Sequence, residues 1–183
     1  MKREIYISAD IESSGPAPGI YSMLSLGACV VGETRKRFYA ELKPLNDNAV
    51  PGAMRIHGLS LEKLQRDGED PARAMARFAQ WLSDVSGDGK PVFAAFPAAF
   101  DWQFVNYYFH AYLGKNPFGS AGPCIKSYYM GMRRRAWSQS HKKGVTREFP
   151  PKQAHTHNAL DDAIEQAEIF EKMLSCQEQE QHE

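Results

Sequence analysis

Three observations on the sequence predict an α/β fold built on a mixed central sheet. Residues 4–12, Glu-Ile-Tyr-Ile-Ser-Ala-Asp-Ile-Glu, alternate as a strand does, with Ile5, Ile7, Ala9 and Ile11 on one face. Two more strand-like runs follow, 21–31 and 37–42, with Gly32-Glu33-Thr34 between them as a tight turn, so the chain opens as a three-stranded antiparallel meander. Beyond the meander the pattern becomes strands separated by helices, which makes the sheet mixed.

Taken in order, residues 44–58 are rich in Pro, Asn, Asp and Gly and read as a loop with a short helix near Met54. Asp70-Pro71 opens a helix, a capping carboxylate followed by a first-turn proline, and Met75, Phe78, Ala79 and Leu82 then fall at core-facing spacing. Residues 91–96 form a short buried strand, and 101–113 a further helix. The last helix starts at Ala159, capped by Asn158, with Leu160, Ala163, Ile164, Ala167 and Leu174 as its buried stripe. Residues 177–183, Gln-Glu-Gln-Glu-Gln-His-Glu, carry nothing to bury and read as a frayed or disordered tail, which leaves 1–176 as a single domain.

A chain of 183 residues with 43% hydrophobic content can bury one sizeable core, and no internal repeat divides it. No stretch is apolar for long enough to span a bilayer, and Met1-Lys2-Arg3 runs straight into a strand, so the expectation is a cytoplasmic protein with no membrane partner. Cys29, Cys124 and Cys176 are odd in number and widely spaced, which fits reduced thiols rather than a disulfide frame or a zinc site. The formal net charge is zero, so any polyanion must be gripped locally rather than by bulk charge.

The most informative residues are Asp10 and Glu12, two apart on the strand and therefore on one face. Like charges held so close raise each other's proton affinity unless a cation lies between them. Taken alone the pair also reads as the acidic outer face of an edge strand. Phe100-Asp101 comes after the second apolar run, and His157-Asn158-Ala159-Leu160-Asp161-Asp162 opens the last helix. His157 lies just outside that helix, where a loop can swing it beside a first-turn carboxylate; within one helix, residues five apart diverge by well over a right angle. The apolar stripe does not choose between Asp161 and Asp162, both of which suit the helix dipole.

With these motifs in this order, residues 4–174 resemble the DEDDh group of 3'-5' exonucleases, the superfamily of polymerase proofreading subunits and RNase T. Those enzymes carry Asp-x-Glu on the first strand, Phe-Asp after a later strand, and His-x-Ala-x-x-Asp near the end. The resemblance implies an RNase H-like fold and a metal-dependent 3'-5' exonuclease that releases nucleoside 5'-monophosphates from single-stranded RNA or DNA 3' ends. It implies Asp10, Glu12, Asp101 and Asp162 as ligands of two divalent cations, Mg²⁺ or Mn²⁺, and its register selects Asp162 over Asp161. It also implies His157 as the base that takes a proton from the attacking water. Hard oxygen donors suit these ions, two cations can stabilise both the entering and the leaving oxygen, and an imidazole's ordinary pKa near 6.5 fits it to accept that proton. Relatives are often dimers, so a homodimer is a further expectation.

Substrate contacts are read from weaker signals. Ser13-Ser14-Gly15 stands where the family has Thr-Thr-Gly, which meets the terminal nucleotide; a strand-ending turn is the other reading. Phe100 precedes the second-motif acid. Arg133, Arg134, Arg135, Lys142, Lys143, Arg147 and Lys152 concentrate positive charge ahead of the His motif, either as a phosphate track or as a solvated loop. Tyr128, Tyr129 and Trp137 read either as base-stacking platforms or as core. His57, in Ile56-His57-Gly58-Leu59, matches a recurrent family element whose role the sequence does not give. One departure stands out: Pro97 occupies the place of the family's usual Asn and offers no side-chain amide. The rival to an enzyme is a catalytically weak nucleic-acid-binding or scaffolding protein of the same fold, against which the intact acids weigh.

Overall fold

The computed structural model describes residues 2–180. Among them a four-stranded sheet has the spatial order β3-β2-β1-β4, with β1 at Glu4–Ser13, β2 at Met23–Val30, β3 at Glu33–Glu41 and β4 at Lys90–Ala94. The first three strands form the expected antiparallel meander, and β4 lies parallel to β1 on its other side. β1 is thus flanked on both edges, which fixes the acids it carries.

Each face of β1 meets a different layer. Ile5, Ile7, Ala9 and Ile11 join one core with Met75, Phe78 and Leu82 of α3 (Pro71–Ser86) and Phe104, Val105, Tyr108 and Phe109 of α4 (Ala98–Leu113). Phe78 stacks on Phe109 at 5.5 Å, and truncating a ring buried this way costs about 3–5 kcal/mol. Asp70 caps α3 by accepting from the Arg73 amide, as its sequence predicts. The opposite face is covered by α7 (Ala159–Glu180), whose Ile169, Phe170 and Met173 pack with Phe96, with Ile125 and Tyr129 of α5 (Ile125–Met132) and with Val145 of α6 (Lys142–Glu148).

Gly27 decides how closely α7 approaches. It sits directly opposite Asp10 in the β1–β2 register, and a Cβ there would lie 2.3 Å from the backbone of Ala159 and Leu160. Only a residue without a side chain lets the helix N-terminus settle on the strand.

Other elements differ from expectation in detail. α1 (Pro51–His57) is the short helix near Met54, while α2 (Leu61–Asp67), capped by Ser60, has no strong apolar stripe and was not foreseen. α4 begins at Ala98, before Asp101, because Pro97 is preset for the cap position. The basic segment is not an open loop: α6 and a short 3-10 turn at Trp137–Gln139 order it. α7 buries Glu165 and Gln166 besides its apolar stripe, and Leu160 and Leu174 are only partly covered. The helix also runs through Glu180, into the stretch read as a disordered tail, since extending a formed helix needs no new nucleation and Gln177 accepts a hydrogen bond from Tyr128. Residues 181–183 of that tail lie outside the described residues.

Candidate active site

Four acids from three elements meet at the C-terminal end of β1. Asp10 and Glu12 project toward α7, Asp162 comes from the first turn of α7, and Asp101 from the first turn of α4. Ligand atoms of Asp10, Glu12 and Asp162 lie within 4.8 Å of one another. Asp101 is buried, and its Oδ1 accepts the Ile11 amide at 3.1 Å, which fastens α4 between the two strand acids.

The electrostatics of this cluster call for a cation. Burial, then the charges of Asp101, Glu12 and Asp162, push the Asp10 carboxyl well above the ordinary range. Glu12 is pushed up to about 8 by burial and by Asp162 and Asp101. Asp101 is raised to about 7 by burial, against the opposing pull of the Ile11 and Asp101 amides. Carboxylates so disfavoured as bare anions, in a set of hard oxygen donors, fit divalent ions of the Mg²⁺ or Mn²⁺ kind.

Asp162 does more than join the cluster. Its Oδ1 accepts from the Thr156 amide at 2.9 Å and its Oδ2 from the His157 amide at 3.1 Å, so it holds the entry loop in place. His157 there has φ 58°, the left-handed region, and its ring is exposed. The His155 ring lies 4.4 Å from it, and His155 Nδ1 stands 2.9 Å from Asp162 Oδ1. Asp161 remains at the edge, accepting from the Thr156 hydroxyl.

Gln166 completes the inner wall. It is buried, its Oε1 accepts from the Phe96 amide at 2.8 Å, and its Nε2 donates to Asp10 Oδ1 at 2.6 Å. His155, Glu165 and Gln166 were all missed in the sequence, where the α7 stripe was counted in apolar residues alone. Their signal was position: Glu165 and Gln166 follow Asp162 by three and four residues, hence on its face of the helix.

The expected substrate residues divide. The Ser13 hydroxyl donates to the Gly15 carbonyl and that of Ser14 accepts the Ser22 amide, so both serve the turn itself. Gly15 is required by packing, since a Cβ would lie 2.4 Å from the Tyr21 ring. Phe100 is partly exposed next to Asp101. Arg133 pairs with Glu148 at 2.6 Å and reaches the Cys176 sulfur, tying α5, α6 and α7 together rather than facing solvent. Arg134, Arg135 and Lys143 are exposed, whereas Lys142 turns inward to Glu165. Tyr129 is core and Tyr128 packs edge-on to Phe170; Trp137 alone of the three aromatics is half exposed, under the Lys126 ammonium. His57 accepts the Leu59 amide at Nδ1, so its Nε2 carries the proton and donates to the Ser13 carbonyl, a brace for the end of β1. A cavity of about 700 Å³ near Arg3, Tyr6 and Glu171 lies at the opposite end of β1 and holds none of the acids.

Comparison with known proteins agrees with this geometry. The family model of the RNase T exonucleases matches residues 7–170. The chain is 48% identical over 169 residues to the 3'-5' DNA exonuclease Cap18 of Escherichia coli, an alignment spanning 92% of this chain and 90% of that protein. Among solved structures, the nuclease domain of 3'hExo, a DEDDh family member bound to rAMP, superposes with a TM-score of 0.77 at 14% identity, over 94% of this chain and 92% of that one. Exonuclease I of Escherichia coli in complex with a dT13 oligonucleotide gives a TM-score of 0.70 at 17% identity, over 98% of this chain and 42% of that one. These neighbours share the RNase H-like arrangement of the sheet and its flanking helices. No helix among the described residues is long and apolar enough to cross a membrane.

Proposed function

Because the chain belongs to the RNase T exonuclease family and is a 3'-5' exonuclease of the DEDDh type dependent on divalent metal, we propose that it removes nucleoside 5'-monophosphates from the 3' ends of single-stranded DNA. The observation that carries this reading is the convergence of Asp10, Glu12, Asp101 and Asp162 on one point beside His157. The preference for DNA rests on the Cap18 likeness, since the fold likeness extends to exonucleases holding either sugar. We take residues 1–176 as one exonuclease domain, and Cys29, Cys124 and Cys176, which form no disulfide among the described residues, suit the reducing cytoplasm.

In this reading the four acids hold two ions, Mg²⁺ or Mn²⁺, which acidify water and neutralise charge on the phosphate when bound. The chain's own residues do the rest. Gln166 keeps Asp10 in a single orientation, and Asp162 holds the loop that brings His157 to the site. His157 takes the proton of the attacking water on its ring nitrogen. Phe100, exposed beside Asp101, would offer a face to the terminal base, and Arg134, Arg135 and Lys143, exposed in the basic segment ahead of the His motif, would attract an incoming strand's phosphates. Lys142 meets Glu165 of its own chain, which brings this end of the basic segment to the site.

The test is a timed digestion of 5'-labelled DNA and RNA oligomers of matched sequence with Mg²⁺ or Mn²⁺. A ladder shortening from the 3' end, faster on DNA, with nucleoside monophosphate as product, is expected. Asp10→Ala and Asp162→Ala should each lower the rate on the order of 10³-fold or more while the protein stays folded. Internal fragments, or turnover retained in both variants, would remove the assigned site.

A further inference from the structure

Lys142 opens α6, and its ammonium stands 2.6 Å from Glu165 Oε2 and 3.0 Å from His155 Nδ1. Glu165 is a fifth acid at the site, its side chain only 4% exposed, on α7 three residues beyond Asp162. His155 Nδ1 in turn lies 2.9 Å from Asp162 Oδ1, so a single ring separates the ammonium from the acid cluster. The charge of Lys142 reaches that cluster, opposing the rise in proton affinity of both Asp10 and Asp101.

An ion pair whose acid is buried, with the Lys142 side chain 26% exposed, is a poor device for holding a helix, because desolvating the carboxylate consumes much of the attraction and apolar side chains would serve as well. α6 already has such anchors: Val145 is fully buried in the core that includes Ile169 and Phe170, and Glu148 is paired with Arg133. What the pair does achieve is to keep one ammonium at a fixed place beside four acids. Two divalent ions would balance Asp10, Glu12, Asp101 and Asp162, and Lys142 balances Glu165. The phosphodiester then meets a cage with no surplus negative charge, and a positive group preset for the charge that grows on its non-bridging oxygens.

Resting on the exonuclease reading above, we propose that Lys142 is a catalytic residue that donates a hydrogen bond to a non-bridging oxygen of the scissile phosphate, and that Glu165 is the positioning residue that aims it. In the step, the water oxygen bonds to phosphorus as the bond from phosphorus to the 3' oxygen breaks. The water's proton passes to His157, the leaving oxygen takes one from solvent, and Lys142 keeps all of its own.

The test uses the full chain on 5'-labelled single-stranded DNA, reading kcat, KM, the Mn²⁺ concentration at half-maximal rate, and thermal melting. Lys142→Met should lower kcat about 100-fold without raising the Mn²⁺ requirement, and Lys142→Arg should recover about tenfold of that loss. Glu165→Gln, which leaves the ammonium unaimed, should lower kcat roughly tenfold. The double variant K142M/E165Q should remain as slow as Lys142→Met. A double variant restored to near wild-type kcat would overturn the proposal, because the lysine would then serve only to cancel a buried acid. So would a Lys142→Met enzyme with undiminished kcat and a lower Mn²⁺ requirement, the behaviour of an ammonium that merely fills an ion's place. If Lys142→Met fails to fold, the double variant, which leaves no unpaired charge buried, carries the same comparison. Wild-type protein that releases no nucleotide would overturn the exonuclease reading, whereas an active wild type with kcat unchanged in Lys142→Met overturns this inference alone.

Discussion

The orientation of the Gln166 amide follows from its neighbours. The Phe96 N–H can only donate, so Oε1 must face it, and Nε2 is left to donate to Asp10 Oδ1. That bond favours the ionised carboxylate, the form a metal needs, in surroundings that otherwise raise its proton affinity. Gln166→Ala leaves the Phe96 amide unpaired and frees Asp10 to rotate. A stability loss of about 1–3 kcal/mol is expected. Mn²⁺ affinity should fall on the order of tenfold, as for other groups that orient a ligand. Gln166→Glu keeps an acceptor for Phe96 but sets an acid against Asp10, so its affinity loss should equal or exceed that of the Ala variant. Calorimetric titration of Mn²⁺ reads both, and unchanged affinity in the two variants would show that Gln166 is only packing.

At the scale of elements, α7 carries the greatest burden. Its first turn supplies Asp162, its next turn Glu165 and Gln166, and its later turns the apolar contacts with α5 and α6. The seat for its N-terminus is Gly27. A methyl group at that position meets helix backbone rather than a flexible side chain, so the strand and helix must separate. Gly27→Ala should cost about 1–3 kcal/mol of stability. Because the separation falls where Asp10 faces Asp162, activity at fixed Mn²⁺ should fall further than the unfolded fraction explains. Melting curves and rates measured on the same samples check this; a variant that melts low but keeps full activity per folded molecule would show that the seat is structural alone.

For the whole molecule, the acid cluster links folding to pH and to metal. Glu12 and Asp101, raised to about 8 and about 7, hold protons in the folded state that the unfolded chain releases near pH 4. The folded state therefore binds more protons between these values, and the stability this gives is present in acid and lost as pH rises through the folded pKa values. Without metal, melting temperature should fall between pH 6.5 and 8.5. Mn²⁺ at 100 times its dissociation constant should add about 2.7 kcal/mol, or roughly 5–10 °C for a chain of this size, and more at the higher pH where the acids are already bare. Differential scanning measurements with and without Mn²⁺ would test both slopes, and a metal-free protein whose stability rises across that interval would contradict them.

How much of this was legible in the sequence depended on the range of the signal. The alternation of Ile5, Ile7, Ala9 and Ile11 placed Asp10 and Glu12 on one face of β1, and the Asp70-Pro71 start and the Asn158 cap marked two helices, because each is set by neighbours along the chain. Asp101, His157 and Asp162 were placed by the resemblance of their motifs to those of the exonucleases, since the apolar stripe alone leaves Asp161 and Asp162 open. Other roles were decided by packing between distant segments. Arg133 reads as one of a basic run, yet it pairs with Glu148; Ser13 and Ser14 read either as a nucleotide contact or as a strand-ending turn, and their hydroxyls close the turn. Gln166 meets Asp10 across 156 residues, and Gly27 is needed only because α7 lands on it. The sequence by itself determined the meander, the core helices α3 and α7 and which strand acids share a face, since periodicity and capping are local. Which groups the acids face, and which lysine stands among them, only the tertiary structure decided, because burial and charge act through space and not along the chain.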